Sequence, residues 1–258
     1  MAAGHALVAH HALTAHNALE AQHALGAQAL EGIAMRTRDS RYQLVGELGA
    51  GSFGQVSLAI DLMTNRRVAI KQQLVPSEEA ARELSAYTIF SARPHRHVLT
   101  MLDYFVSTRA AGKHARATIL STVHELCSTS LWHVFRGSPG GLAQEVVCKH
   151  VQGMAHGAAH LHSMGIVHGD LSLRNVLVDM DGGVKVTDFG TAFSAHVYLV
   201  QEEITTGYVQ APEATLGETR QTIAIDAWAV GVATFCLRFG HCPWLHARMT
   251  PWRYKHRC

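Results

Sequence analysis

Apolar and polar positions first alternate and later recur at helical spacing, and that change divides the chain. From Tyr42 the segments YQLVGELG, QVSLAI and RRVAIK alternate apolar with polar residues, the period-two signature of half-buried strands. Turns are predicted at Gly49–Gly54 and Asp61–Asn65, where glycine, aspartate and asparagine cluster. Helical spacing then runs from Glu78 to Phe90. Two further strand-like stretches follow at Val98–Val106 and Ala117–Glu125, separated by a basic loop with Lys113, His114 and Arg116. Beyond them the period is helical from Leu142 to Met164 and again from Ile223 to Phe239. Strands first and helices later predict an α+β chain in two lobes.

Upstream of this pattern, residues 5–28 form four hexads, HALVAH, HALTAH, NALEAQ and HALGAQ. Alanine favours helix, but leucines at 7, 13, 19 and 25 step by about 600° around a helix and fall on three sides rather than one stripe. No coiled-coil seam is expected, and residues 1–38 are expected to form a solvated Ala/His-rich tail.

Composition narrows the class. A chain of 258 residues, 48% hydrophobic and 16% charged, buries a sizeable core. The formal charge of +2 is too small to signal a nucleic-acid partner or a membrane surface, and no run of eighteen apolar residues predicts a membrane span. The start, MAAGHALVAHHALTAH, lacks a basic n-region, and no arginine precedes Arg36, so neither a secretory signal nor a transit peptide is expected. Cys127, Cys148, Cys236, Cys242 and Cys258 are odd in number and lack C-x-x-C spacing. That suits reduced thiols in a cytoplasmic or nuclear protein. His156 and His160 lie one helical turn apart, a spacing common among solvated helix histidines as well as metal ligands.

Four constellations carry chemistry. In LGAGSFGQV, Gly49, Gly51 and Gly54 allow backbone to approach phosphates closely; a strand-like QVSLAI follows rather than a helix, which removes a dinucleotide-binding reading. VAIK places Lys71 at the end of an apolar strand, where a neighbouring carboxylate can orient it toward phosphate. In IVHGDLSLRNVLV, Asp170 is placed to accept a proton from an attacking hydroxyl. Asn175 and, in VTDFG, Asp188 offer hard oxygens to Mg²⁺. The ordered set of glycine-rich loop, lysine, D-x4-N and DFG makes ordinary turn residues a poor explanation.

These motifs resemble the eukaryotic protein kinase family over residues 42–244. HELC at 124–127 looks like the hinge, HLHSMGIVHGD like the end of a long C-lobe helix, TTGYVQAPE at 205–213 like the substrate-positioning loop, and IDAWAVGV at 225–232 like the D-x-W-x-x-G helix that anchors the catalytic loop. The resemblance implies a two-lobed kinase-like fold with a small β-rich N-lobe over 42–126. A mostly helical C-lobe over 127–258 would lack its last helices, and a partner protein is one way to cover that surface. It also implies ATP and Mg²⁺ as cofactors and a protein as substrate.

Carried over residue by residue, the resemblance assigns Gly49, Gly51 and Gly54 to the ATP phosphates and Val56 and Ala69 to adenine. Lys71 would hold the α and β phosphates, with Glu83 as its partner and Glu79 as a rival. His124 falls at the gatekeeper position, and Glu125 and Cys127 supply hinge backbone hydrogen bonds. Asp170 becomes the catalytic base, and Asn175 and Asp188 the metal ligands. Ser172 stands where serine/threonine kinases carry lysine, and Arg174 is a candidate to supply the missing positive charge. Thr206 matches the threonine that ties the substrate loop to the catalytic aspartate, which favours serine/threonine over tyrosine transfer. Glu213 of APE is expected to be a buried carboxylate whose usual arginine partner is missing.

Gly169 replaces the arginine that in the family receives an activation-loop phosphate. Activity is therefore expected not to depend on phosphate at Thr191, Ser194, Thr205 or Thr206. Two other readings stay open. HGDL followed by asparagine also occurs in small-molecule kinases, which generally lack the TT…APE and D-x-W-x-x-G segments. A nucleotide-binding scaffold without catalysis would keep the same residues.

Overall fold

The computed structural model describes residues 41–51, 54–110, 116–195, 207–216, 218 and 221–244. The Ala/His tail, the basic loop at 111–115 and Thr205 and Thr206 lie outside the described residues. The rest divides into two compact units, one of residues 41–95 and 99–127, the other of residues 96–98 and 128–244.

The first unit is built on a five-stranded antiparallel sheet in the order β1-β2-β3-β5-β4. Its strands are β1 (Tyr42–Gly51), β2 (Gly54–Asp61), β3 (Arg66–Val75), β4 (Met101–Ala110) and β5 (Arg116–Glu125). Alternation sends Ala59, Val68, Ile70, Phe105 and Val123 into one buried cluster. The opposite face receives α1 (Glu78–Ala92), whose Ala80 and Leu84 pack with Val106 and Leu120. Ser77 starts that helix by accepting a hydrogen bond from the Ala80 N–H at 3.2 Å, and Glu78 and Glu79 in the first turn complement the helix dipole. The turn expected at Asp61–Asn65 forms around the Asp61 carboxylate, which accepts from the Met63 N–H, the Thr64 hydroxyl and the Arg41 guanidinium.

Two expectations shift. Gly49 sits inside β1 opposite Val56, so the glycine-rich hairpin narrows to the pair Gly51 and Gly54. Val98 does not begin β4. It is buried in the second unit, where it bridges Val186, and β4 starts at Met101.

The second unit is mostly helical. It contains β6 (Thr129–Ser130), α2 (Leu131–Arg136), α3 (Gln144–Ser163), β7 (Ile166–Val167), a 3-10 turn at Leu173–Asn175, β8 (Val176–Val178), β9 (Val184–Val186), β10 (Phe193–Ser194), α4 (Pro212–Thr215) and α5 (Ala224–Phe239). Helix α3 buries Val147, His150, Met154, Ala158 and Leu161, a stripe at three- and four-residue steps. Its Gly157 lets β9 lie against the helix, because a Cβ there would meet the His97 carbonyl oxygen at 2.6 Å and a Val186 methyl at 2.8 Å. That approach fixes the strand that leads directly into Asp188. Helix α5 is apolar almost throughout and ends at Gly240, in left-handed backbone at φ 73°, whose N–H donates to the Cys236 carbonyl at 2.8 Å.

Candidate active site

In the sheet unit, strand register decides which residues share a face. Val56 lies opposite Lys71 and Leu58 opposite Ala69 across β2 and β3, and Ala69 lies opposite His124 across β3 and β5. Val56, Ala69, Lys71 and His124 therefore lie on the face that carries α1. Val56 and Ala69 are only half-buried. On α1, Glu83 belongs to the buried stripe of Ala80, Leu84, Tyr87 and Phe90, an expensive place for a charge unless it is paired. It is paired: Lys71 Nζ lies 2.9 Å from Glu83 Oε1 and 2.7 Å from Oε2. Glu79, one turn earlier, is exposed.

His124 is buried, with Nε2 at 2.9 Å from the Thr122 hydroxyl and its ring 4.7 Å from that of Tyr87. Burial, with the Lys71 ammonium as a second cause, pulls its pKa down from 6.5 to about 3. The ring is neutral at pH 7. Glu125, half-buried, accepts from the Thr100 N–H at 2.9 Å and fixes the start of the hinge-like segment, in which Cys127 is half-buried too.

In the helical unit, Asp170 and Asn175 form one device. The Asn175 amide nitrogen donates to the Asp170 backbone carbonyl at 2.8 Å and to Asp170 Oδ2 at 2.9 Å. This sets the carboxylate plane and turns the amide oxygen away from it. The Thr187 N–H donates to the Asn175 carbonyl at 2.9 Å, which ties the segment leading to Asp188 to the same loop. Asp188 itself adopts φ 64°, left-handed backbone that a non-glycine residue holds only where its surroundings impose it.

Two residues absent from the sequence-derived site hold this device in place. His168 is fully buried; its Nε2 donates to the Thr187 carbonyl at 2.9 Å and its Nδ1 accepts from the Asp170 N–H at 3.2 Å. Those partners fix one neutral tautomer. Asp226, on α5 and 1% exposed, accepts from the His168 N–H at 2.8 Å, the Gly169 N–H at 3.1 Å and His162 Nε2 at 2.8 Å. Gly169 stands at φ 82°.

Arg174 is exposed and lies over the Trp132 ring, 4.3 Å from its centroid. Ser172, in the lysine position, is fully buried with its hydroxyl unpartnered. Glu213 is half-buried in α4. Its burial is therefore only partial where full burial was expected, because a four-residue helix with no buried residue leaves it access to water. Thr191 donates its hydroxyl to the His168 carbonyl at 3.1 Å, and Ser194 is 2% exposed, so both serve the packing of this segment.

Residues 42–256 match the family described as Protein kinase domain. The chain belongs to the protein kinase family. Serine/threonine-protein kinase BCK1/SLK1/SSP31 of Saccharomyces cerevisiae is 28% identical over 81% of this chain and 14% of that protein. Cell division control protein 2 homolog 3 of Trypanosoma brucei brucei is 30% identical over 76% of this chain and 62% of its own length. Stress-activated protein kinase JNK of Drosophila melanogaster is 31% identical over 76% of this chain and 52% of its own. The chain thus spans between 14% and 62% of these relatives.

Within this kinase domain each unit gathers its own share of the expected residues. The sheet unit brings Val56, Ala69, Lys71 and Glu83 together, with Gly49, Gly51 and Gly54 on the neighbouring hairpin and Glu125 and Cys127 at the end of β5. The helical unit brings together Asp170, Asn175 and the segment leading to Asp188. Asp226 was legible as the aspartate of D-x-W-x-x-G, but a motif letter does not announce that both of its oxygens are spent on loop backbone.

Proposed function

We propose that this kinase domain transfers the γ-phosphoryl group of ATP to serine or threonine hydroxyls of protein substrates. The observation that carries this reading is the Asp170–Asn175 pair, a carboxylate whose plane is set by the amide that is itself a candidate cation ligand. Asp170 would orient the acceptor hydroxyl and take its proton. Lys71, held by Glu83, would neutralise the nucleotide's phosphate oxygens.

The residues present fit both cofactors. Half-buried Val56 and Ala69 beside the Lys71 ammonium give an apolar platform next to a cation, as a base bearing phosphates requires. The Asn175 amide oxygen and the Asp188 carboxylate are hard donors of the kind Mg²⁺ takes when phosphate oxygens complete its shell. Bound Mg·ATP supplies the phosphoryl group and a doubly charged counter-ion for it. The site residues position and shield. The scattered, odd-numbered cysteines support a cytoplasmic or nuclear setting for this activity.

The test pairs the wild-type chain with Asp170→Asn and supplies labelled ATP with generic protein substrates, choline or an aminoglycoside. Protein-bound phosphoserine and phosphothreonine are expected from the wild type, falling about a hundredfold or more in the variant. Transfer to the small molecules in place of protein, or equal labelling by both chains, would sink the reading. Equal labelling with ATP still raising the melting temperature would indicate a binding scaffold.

A further inference from the structure

Trp132 on α2 is flanked by two guanidinium groups. Arg174 lies 4.3 Å from the ring centroid and Arg136 lies 5.9 Å from it. The Tyr208 ring approaches the same tryptophan at 6.1 Å and Phe135 at 5.4 Å. Both arginines are exposed, and Trp132 is half-buried. Helix α2, LWHVFR, contains no acid, and among the described residues neither arginine forms an ion pair. The loop's own carboxylate, Asp170, is buried and bonded to Asn175. Two cations thus share one aromatic support, and among the described residues neither is matched by a carboxylate.

Stacking has a cost that the protein alone does not recover. Two like charges brought to one ring repel, and an exposed cation–π contact returns little. What the arrangement does provide is a pair of guanidinium groups near one ring, both exposed to an incoming carboxylate. Its position gives that carboxylate an address. Arg174 lies in the same 3-10 turn as Asn175 and four residues beyond Asp170, so a peptide that offers a hydroxyl to Asp170 runs alongside it.

We propose that Arg136 and Arg174, set on Trp132, recognise acidic residues flanking the phosphoacceptor of a peptide substrate. This rests on the kinase reading above and names the substrate class for it. It also gives Arg174 a binding task in place of charge compensation at the transferring phosphate.

The experiment measures fluorescence anisotropy of three labelled peptides of equal length, each with one central serine flanked by Asp/Glu, by Gly/Ala or by Lys/Arg. The acidic peptide is expected to bind the wild-type chain about tenfold more tightly than the neutral one, the combined scale of two partly exposed ion pairs, with the advantage shrinking as salt rises. Arg136→Lys keeps the order of preference. Arg136→Glu reverses it toward the basic peptide while its tryptophan-fluorescence melting curve stays cooperative. Equal affinities on the wild type overturn the proposal. So does an acidic preference that survives Arg136→Glu, which would leave the two arginines as packing for α2 alone. Because binding is read without turnover, the two readings separate. Acidic-peptide binding with no phosphate transfer to any protein refutes the kinase function and leaves the recognition site standing; transfer with no acidic preference refutes the recognition site alone.

Discussion

Replacing Asp226 by alanine removes one buried carboxylate and strands three partners. The His168 and Gly169 N–H groups lose their acceptors at 2.8 and 3.1 Å, and His162 Nε2 loses its partner at 2.8 Å. Each orphaned buried N–H costs about 1–3 kcal/mol. A water molecule entering the vacated space recovers part of this, so a net loss of about 4 kcal/mol is expected. Asp226→Asn keeps the shape and one acceptor oxygen but turns an amide N–H₂ toward a donor, so its loss should be near half as large, about 2 kcal/mol. The assay is urea unfolding followed by tryptophan fluorescence. All four tryptophans, at 132, 228, 244 and 252, lie in the half of the chain that carries Asp226, so the signal reports on it. Against a typical total of about 5–15 kcal/mol, a 4 kcal/mol loss moves the midpoint well outside error. An alanine variant within about 1 kcal/mol of wild type would refute the argument that loop backbone hangs on this carboxylate. So would an asparagine variant as damaged as alanine, since the preserved oxygen would then count for nothing.

In the sheet unit, Glu83→Leu should take from the half-buried Lys71 ammonium the carboxylate that both of its short contacts reach and cost about 3 kcal/mol, whereas Lys71→Met combined with Glu83→Leu should be much closer to neutral; far-UV circular dichroism in urea compares them, and a double variant worse than the single one contradicts the pairing. His124 gives a pH prediction. Its folded pKa near 3 lies below the unfolded value near 6.5, so between those values the unfolded chain binds a proton that the folded chain refuses, and the folded state loses stability as pH falls through that window. His124→Leu should remove this loss, leaving the wild type about 2 kcal/mol more acid-sensitive than the variant between pH 7 and pH 5 by urea midpoints; parallel pH profiles would dismiss the neutral buried ring. Gly169→Ala should cost about 1–2 kcal/mol because the backbone stands at φ 82°, measured by the same tryptophan signal, and a neutral substitution would show the loop free to relax.

The fold was readable where a pattern repeats over many residues. Helix α1 begins at the predicted Glu78, and α5 ends at the predicted Phe239, because apolar periodicity and a terminal glycine act locally. Val98 misled because its partner, Val186, is 88 positions away in sequence, and single-residue bridges leave no period. The Lys71–Glu83 pair was legible only as a choice between Glu83 and Glu79. The choice turns on which glutamate lies in the stripe of Ala80, Leu84, Tyr87 and Phe90, and helix geometry places Glu83 there and Glu79 off it. Arg174 could not be placed from sequence, since its ring partner Trp132 comes from another element and nothing in either segment points to the other.

Gly169 shows how a residue read as a departure from a motif can also answer a demand of the backbone. Viewed as a motif letter, it is a missing guanidinium and a lost regulatory contact. In the fold, the same position must give its N–H to Asp226 while turning the chain through φ 82° between His168, which is bonded to Thr187, and Asp170, which is bonded to Asn175. Any side chain with a Cβ meets a steric cost there, and glycine meets none. The substitution therefore removes a charge and a backbone strain at one stroke. A loop relieved of strain needs less from its surroundings to hold Asp170 in place, and here those surroundings are three acceptor contacts on one carboxylate.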